Sequence, residues 1–148
     1  MPIADICVRD VVAANAAMTV DEAARLMRYE HVGNVVVLEG NGSTRPMGIV
    51  TDRDIVVSVV ATGLDAKVFC LGDLLTRDIV CVHEDQGIFE CIQIMRQQGV
   101  RRMPVVDRDG ALVGIVSVDD VIQLLGEEMR ALSQLISKEQ KHEAETRV

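Results

Sequence analysis

One eight-residue phrase occurs twice in this chain and constrains its fold more than any other feature. Residues 48–55 read GIVTDRDI and residues 114–121 read GIVSVDDV, 66 positions later. In each phrase a glycine precedes two apolar β-branched residues, and a hydroxyl residue precedes an aspartate by three positions. Similarity at a fixed spacing is typical of a chain built from copies of one supersecondary unit.

The similarity extends to the residues that precede each phrase. Segment 19–38 aligns with segment 87–106 at an offset of 68, and both carry the i, i+3, i+4, i+7 apolar pattern of an amphipathic helix. Thr19 and Glu22 form a capping box at the start of the first of these helices. The turn that follows is two residues longer in the first copy, which reduces the later offset to 66. The duplication therefore covers a whole folding unit.

Each copy predicts the order strand, helix, strand, strand, helix. The elements outside the aligned helices are strands at 11–14, 35–38, 79–82 and 103–106, a strand before each repeated phrase, and helices over about 52–61 and from 119 onward. A unit this small has a sheet that cannot bury both faces, so two copies are expected to pack sheet to sheet and share one core. The predicted class is α+β, with pseudo-twofold symmetry, small mixed sheets packed together and helices outside.

The predicted domain organisation has four parts. They are a first repeat over 8–61, a connecting segment over 62–74, a second repeat over 75–125 and a C-terminal helical extension over 126–148. Gly63 and Gly72 mark breaks in the connecting segment, and a helical turn is expected around 69–75.

Charge and hydropathy exclude several classes of partner. The net charge of −8 argues against non-specific binding to nucleic acid or to anionic membranes, because both require a basic surface. The N-terminus lacks the apolar run of a secretory signal, and no stretch reaches the roughly 18 apolar residues of a membrane span. We therefore expect a cytoplasmic protein with no nucleic-acid or membrane partner.

The four cysteines leave one alternative open. Cys81 and Cys91 lie in apolar patterns and are expected to be small buried hydrophobes. Cys7 and Cys70 head segments that look alike, ICVRDVV and CLGDLLT. A disulfide, or a redox- or metal-responsive site at these two positions, is therefore an alternative, although no CxxC motif or paired histidines accompany them.

The repeated hydroxyl and aspartate have two interpretations. Thr51 with Asp54, and Ser117 with Asp120, match the capping box of a helix that follows a strand. A helix N-terminus can also hold a phosphate, and a carboxylate beside it can accept hydrogen bonds from the cis-diol of a ribose. Nucleotides carry both groups. No nucleophile–base arrangement, phosphate-binding glycine loop or metal motif is present, so no catalytic or metal residues are predicted.

The βαββα repeat that ends in glycine, apolar residue, hydroxyl and aspartate resembles the CBS domain, named after cystathionine β-synthase. The tandem pair resembles a Bateman module over about residues 8–125. The second copy, QGVRRMPVVDRDGALVGIVSVDDVI, is close to the family's usual pattern, whereas the first has Val36 where the second has Pro104. The first carries TDRDI, common in stand-alone bacterial two-CBS proteins.

The resemblance implies a non-catalytic sensor with no required cofactor. Its regulatory ligand would be an adenine nucleotide such as AMP, ADP or ATP, or else NAD or S-adenosylmethionine, bound in clefts between the repeats. One cleft would use Thr51 and Asp54, and the other Ser117 and Asp120. The adenine would lie against Val80 and 103–104 in the second copy, and against the residues at 12 and 35–36 in the first.

Two departures and the phosphate-binding candidates complete the predicted site. Ala13 and Cys81 stand where family members often have threonine, although a backbone carbonyl there can still contact adenine. The residues expected to meet phosphate are Arg53, Arg101, Arg102 and His31, which stands at the position matching Gly99. The candidate ligand-binding residues are Thr51, Arg53, Asp54, Val80, Cys81, Arg102, Met103, Pro104, Ser117 and Asp120. Asp120→Ala is expected to weaken binding more than Asp54→Ala.

The last helix carries a heptad pattern that exceeds what the repeat needs. Its apolar residues are Val118, Ile122, Leu125, Met129, Leu132 and Ile136, in steps of four and three. It is predicted over about 118–141, with a possible kink at Gly126 and a frayed polar tail. The helix either folds over its own repeat or contacts a second subunit. The resemblance implies a homodimer and an effector protein of unknown identity; the rival is a scaffold that has lost its ligand.

Overall fold

The computed structural model describes residues 1–40 and 42–147 and contains two three-stranded sheets with the same topology. The first repeat consists of β1 (Ala13–Asn15), α1 (Val20–Glu30), β2 (Asn34–Leu38), β3 (Pro46–Thr51) and α2 (Asp52–Ile55), which continues as a π-helical turn, Val56–Val60. The second consists of β4 (Val82–His83), α3 (Ile88–Gln98), β5 (Arg102–Val106), β6 (Leu112–Ser117) and α4 (Val118–Thr146). Short 3-10 turns lie at Ile3–Asp5 and Leu71–Leu74.

The order of elements and the α+β class confirm the prediction. In each sheet the middle strand, β2 or β5, pairs in parallel with the strand before it and antiparallel to the strand after it. The first strand of each repeat begins later than predicted, at 13 and at 82. The expected helical turn in the connecting segment is present.

Local sequence signals set the first helix of each repeat. At the start of α1, Glu22 N donates to Thr19 Oγ1 at 3.2 Å and Thr19 N donates to Glu22 Oε2 at 3.0 Å. Both α1 and α3 end on a left-handed residue, His31 at φ 56° and Gly99 at φ 64°. These two positions are 68 apart, so the repeat alignment holds even where the residue type differs.

The core is divided into two clusters, which corrects the expectation of one shared core. The first centres on Val35, Val37 and Val50, and the second on Met103, Val105 and Val116. Each cluster lies between a sheet and the helices of its own repeat. On the opposite faces of β2 and β5, Val36 and Pro104 alternate with core residues and are buried outside both clusters.

Each repeat is completed by the segment that precedes the other repeat. Ile3 is fully buried in the second cluster, and Val8 exchanges two 2.9 Å backbone hydrogen bonds with Ile115 of β6. Leu71, 68 positions after Ile3, is fully buried in the first cluster, and Val20 N donates to Phe69 O at 2.9 Å. None of the sequence patterns above predicts this exchange.

Helix α4 projects beyond the second repeat. Its 29 residues span about 44 Å at 1.5 Å per residue, and Val121 is its buried residue. The heptad residues from 122 to 136 are 46–67% exposed, so the alternative in which the helix folds over its own repeat is wrong for this stretch. The helix continues through Gly126 and stays helical to Thr146, where a frayed tail was predicted. Within the described residues, no helix has both the length and the apolar character to cross a bilayer.

Gly114 lies where the N-terminal segment crosses β6, and alanine there should destabilise the fold. A Cβ would stand 2.9 Å from Cys7 Sγ and 3.0 Å from the Val8 carbonyl oxygen, which accepts the hydrogen bond from Ile115 N. We expect Gly114→Ala to lower the free energy of unfolding by about 1–3 kcal/mol, measured by urea denaturation. Gly126→Ala is the control, since its Cβ meets nothing within 4 Å; this helical alanine should raise stability by about 0.5–1 kcal/mol. Loss of stability in both variants would contradict the prediction.

Candidate functional site

Both repeated phrases form capping boxes at a strand–helix junction. Asp54 N donates to Thr51 Oγ1 at 3.1 Å, and Thr51 N donates to Asp54 Oδ2 at 2.8 Å. In the second repeat Asp120 N donates to Ser117 Oγ at 3.3 Å, and Ser117 N donates to Asp120 Oδ2 at 2.7 Å. The capping interpretation of the twin phrase is confirmed.

Capping leaves part of each aspartate available. The cap of α2 uses Asp54 Oδ2, and among the residues that the structure describes no hydrogen bond reaches Asp54 Oδ1. An ionised carboxylate offers about four acceptor positions on its two oxygens. The same half-buried side chain can therefore cap its helix and accept hydrogen bonds from a ligand.

The first candidate cleft, which we call the arginine cleft, lies at the capping box of α2. Its volume is about 470 Å³. Its lining residues come from both repeats and are Gly48, Ile49, Thr51, Asp54, 74–80 and 100–102. The segment that leads into β4 borders the cleft, and its Leu75 packs on Gly48 in the middle of β3.

The second candidate cleft, which we call the aspartate cleft, is the pseudo-symmetric counterpart. Its volume is about 300 Å³. Its lining residues are Val8, 10–12, Val32, Asn34, Arg102, Ile115, Ser117, Asp119 and Asp120. Both volumes fall in the range of about 300–1,000 Å³ that small-molecule sites occupy.

The structure groups the predicted site residues differently from the sequence-based assignment. Val80 was expected beside Ser117 and Asp120 but lines the arginine cleft with Thr51 and Asp54. The residue at position 12, expected beside Asp54, lines the aspartate cleft instead. The cause is the exchange of segments, because each capping box faces the chain that leads into the other repeat.

Four predicted site residues lie outside both clefts, as far as the described residues show. Met103 is fully buried in the second core cluster, and Pro104 is buried on the opposite face of β5. Cys81 is half-buried and lines neither cleft. Arg53 is exposed on α2, and its backbone N–H donates to Asp52 Oδ1 at 2.8 Å.

Arg77 is the cleft residue that sequence reasoning missed. It lines the arginine cleft, and it forms no ion pair within the described part of the chain. Its counterpart Arg9, 68 positions earlier, instead pairs with Glu84 at 3.4 Å. The Arg-Asp dipeptides at 9–10 and 77–78 repeat at this offset, and extending the alignment to them would have found Arg77.

The two clefts differ in charge. Three arginines and two aspartates line the arginine cleft, which leaves one positive charge. One arginine and three aspartates line the aspartate cleft, which leaves two negative charges. Arg101 of the first and Asp119 of the second are 3.8 Å apart, but both side chains are 77% exposed, so this pair contributes little. An anionic ligand therefore finds a better environment in the arginine cleft.

The structure separates Cys7 from Cys70. Cys7 packs on Gly114 of the second repeat, whereas Cys70 forms a backbone bridge with Thr19 of the first. Their expected equivalence is wrong, because the residue 68 positions after Cys7 is Leu75, which occupies the same place over Gly48. All four cysteines are free, and no three histidine, cysteine or acidic side chains of the described residues cluster as metal ligands.

The thiols of half-buried Cys81 and fully buried Cys91 should resist alkylation. Burial raises the pKa of Cys81 and of Cys91 to about 11, and it also raises the pKa of Cys7. At pH 8 only about one Cys81 or Cys91 thiol in a thousand is then the reactive thiolate. We expect iodoacetamide to modify both slowly in the folded protein, with a rate that rises as pH approaches 11, and quickly in urea. The modification rates are measured by quenching the reaction at successive times and analysing the cysteine peptides by mass spectrometry. Equal rates in folded and unfolded protein would contradict the prediction.

Comparison with known proteins identifies the repeats. The CBS domain pattern matches residues 3–61 and again residues 71–127. The chain belongs to the CBS domain family. Both matches include the exchanged segments, since they begin at the 3-10 turns that precede each repeat. This CBS pair is thus a regulatory module in which both clefts are built at the boundary between two CBS domains.

Several relatives resemble this CBS pair over most of its length. Protein MK0525 of Methanopyrus kandleri is 34% identical over 82% of the chain, and the chain spans 61% of that protein. The crystal structure of Hypoxic Response Protein I with two coordinated zinc ions is 32% identical, with a TM-score of 0.72 over 83% of this chain and 98% of that one. The CBS domain protein PAE2072 of Pyrobaculum aerophilum, complexed with AMP, is 25% identical, with a TM-score of 0.72 over 81% and 89% of the two chains.

Proposed function

We propose that this CBS pair is a non-catalytic sensor that binds an adenine nucleotide in the arginine cleft. The observation that carries the proposal is the meeting of three arginines with the Thr51–Asp54 capping box in one cleft. The AMP complex of PAE2072, which shares the fold, supports the ligand class. No cofactor is required, because the nucleotide acts as a regulatory ligand.

Each lining group has a counterpart on a nucleotide. The Asp54 carboxylate accepts hydrogen bonds from the ribose cis-diol through the oxygen that capping leaves available. The guanidinium groups of Arg77 and Arg102 bind the phosphate by charge-assisted hydrogen bonds. Val80 and Val100 provide an apolar surface for the adenine ring.

The arginine cleft replaces the aspartate cleft as the preferred site. Asp120→Ala was expected to have the larger effect because the second copy is closer to the family's usual pattern than the first, which has Val36 in place of the proline. Both arginines line the cleft of Asp54, while Asp120 is accompanied by two further aspartates. Repulsion from these carboxylates disfavours a phosphate there, so the expected ranking of the two variants is reversed.

Binding becomes a signal if the nucleotide prefers one arrangement of the repeats. The lining of the arginine cleft comes from β3 and α2 of the first repeat and from the chain around β4 and β5 of the second. A ligand seated there contacts both repeats at once and favours the arrangement in which they approach. An effector protein of unknown identity then responds to this arrangement.

Thermal shift and calorimetry with AMP, ADP, ATP, NAD and S-adenosylmethionine test the proposal, with GMP as the control for the base. At a ligand concentration of 100 Kd, binding adds about 2.7 kcal/mol of stability, equivalent to about 5–10 °C in Tm for a chain of this size. The proposal expects at least one adenine compound to produce this shift and GMP not to. No shift with any adenine compound at millimolar concentration would favour a ligand-free scaffold.

A second copy of the chain is the partner that we propose for the exposed face of α4. Its heptad residues from 122 to 136 are 46–67% exposed and form an apolar stripe along about four turns. Exposed apolar patches of this kind mark association surfaces, and the spacing suits a helix with the same pattern.

Self-association through α4 predicts that Leu132→Glu converts a dimer into a monomer. The substituted charge would lie in the centre of the apolar stripe, where a partner helix would have to bury it. Gln134→Glu adds the same charge on the opposite side of the helix and should leave the dimer intact. Light scattering after size-exclusion chromatography measures the mass in solution. Weak dimers form at concentrations on the order of 100 µM, so a wild type that is monomeric at about 100 µM would contradict the proposal.

A further inference from the structure

Arg102 is the only residue of the described chain that lines both clefts. It opens β5, half-buried, and pairs in register with Ser117 at the end of β6. Its counterpart in the first repeat, 68 positions earlier, is Asn34, which carries no charge and lines the aspartate cleft alone. The pseudo-symmetry of the two repeats is therefore broken at the position where the clefts adjoin.

The position of one guanidinium sets the charge of both clefts. With Arg102 directed into the arginine cleft, the aspartate cleft has only its three carboxylates, Asp10, Asp119 and Asp120. With Arg102 directed the other way, the arginine cleft has two arginines against two aspartates. No ion pair within the described residues fixes the Arg102 side chain. Arginine stays protonated at all accessible pH values, so the two clefts share a single permanent charge.

We propose that Arg102 couples the two clefts by negative cooperativity toward anionic ligands. A phosphate bound in the arginine cleft holds the guanidinium there and leaves the aspartate cleft with a more negative field, which lowers its affinity for a second anion. Coupling between sites is reciprocal, so a phosphate in the aspartate cleft weakens the arginine cleft by the same factor. Adenosine lacks the phosphate and occupies either cleft without this penalty. This proposal rests on the nucleotide-binding function proposed above.

The experiment compares AMP and adenosine binding by calorimetry in the wild type and in Asp54→Ala, which disables the arginine cleft. The aspartate cleft of Asp54→Ala should bind AMP at least about fivefold more tightly than the second AMP site of the wild type, as expected for typical coupling between sites. For adenosine, the second-site affinity of the wild type and the aspartate-cleft affinity of Asp54→Ala should agree. When the same comparison, with and without Asp54→Ala, is made in the Arg102→Gln background, the fivefold difference for AMP should disappear, because no charge remains to be shared.

Arg77→Gln is the matched control. It removes one positive charge from the arginine cleft but does not line the aspartate cleft, so it should weaken the first AMP site and keep the fivefold difference. If no adenine compound binds the wild type, the proposed function itself fails. If AMP binds and the second-site affinity is the same in the wild type and Asp54→Ala, or the difference survives in Arg102→Gln, only the coupling fails. In the wild type alone, the coupling predicts that the second site is weakened for AMP and not for adenosine, so comparing the two ligands tests the coupling without any variant.

Discussion

Ile3→Ala is expected to lower the free energy of unfolding by about 2–5 kcal/mol, the usual cost of truncating a buried isoleucine. Residues so near a chain end are ordinarily loose, and their substitution changes stability little. Ile3 is different because it is fully buried in the second core cluster, whose other members, such as Val82 and Val116, lie some 80 to 110 positions later in the chain. Backbone hydrogen bonds of 2.8–2.9 Å from Ile3 and Ala4 to the chain at 84–86 hold it there.

Urea denaturation of matched variants tests the role of the exchanged segments. Leu71→Ala is the pseudo-symmetric counterpart of Ile3→Ala and should cost a comparable amount, since Leu71 is fully buried in the first cluster. Val68→Ala is the control, because Val68 is 68% exposed and surface substitutions usually stay within about 0.5 kcal/mol. An Ile3→Ala variant as stable as Val68→Ala would show that the N-terminal segment does not complete the second repeat.

The elements of the fold could be predicted because their signals are local. The capping box of Thr19, the heptad-like stripe of α1 and the turn before Pro46 each determine structure within a few residues. Because the sequence is duplicated, each element is predicted independently in both repeats, and a wrong element in one repeat would disagree with its counterpart in the other. The exposed stripe of α4 is also a local pattern, and it was predicted on the same basis.

The pairing of residues in the clefts could not be predicted, because it depends on contacts distant in sequence. The exchange of segments moves Val80 from the site of its own repeat to the site of the other. The orientation of side chains on strands β2 and β5 is also hard to predict from the sequence. Residues 35–37 and 103–106 are buried on both faces, so no alternation of polar and apolar residues tells which side of the strand faces a cleft. The family resemblance placed Met103 in a cleft, and nothing in the strand pattern opposed this, although its side chain lies in the core.

Asp54→Ala should abolish most of the stabilisation by AMP, with a loss of affinity of about 10- to 150-fold. This range corresponds to hydrogen bonds to a charged group, which contribute about 1.5–3 kcal/mol. The variant also removes the cap of α2, in which Asp54 Oδ2 accepts from Thr51 N at 2.8 Å, and this costs about 0.5–2 kcal/mol without any ligand. The measured quantity must therefore be the shift in Tm that AMP produces, and not Tm itself.

Asp120→Ala separates these two effects, because Asp120 caps α4 in the same geometry but lies in the aspartate cleft. Both variants should have a similarly lowered Tm without ligand, since each loses one capping box. Only Asp54→Ala should then lose the shift with AMP, because the arginines that bind phosphate accompany Asp54 and the carboxylates that repel it accompany Asp120. If Asp120→Ala lost the larger share of the shift, the charge of the clefts would not decide where the nucleotide binds.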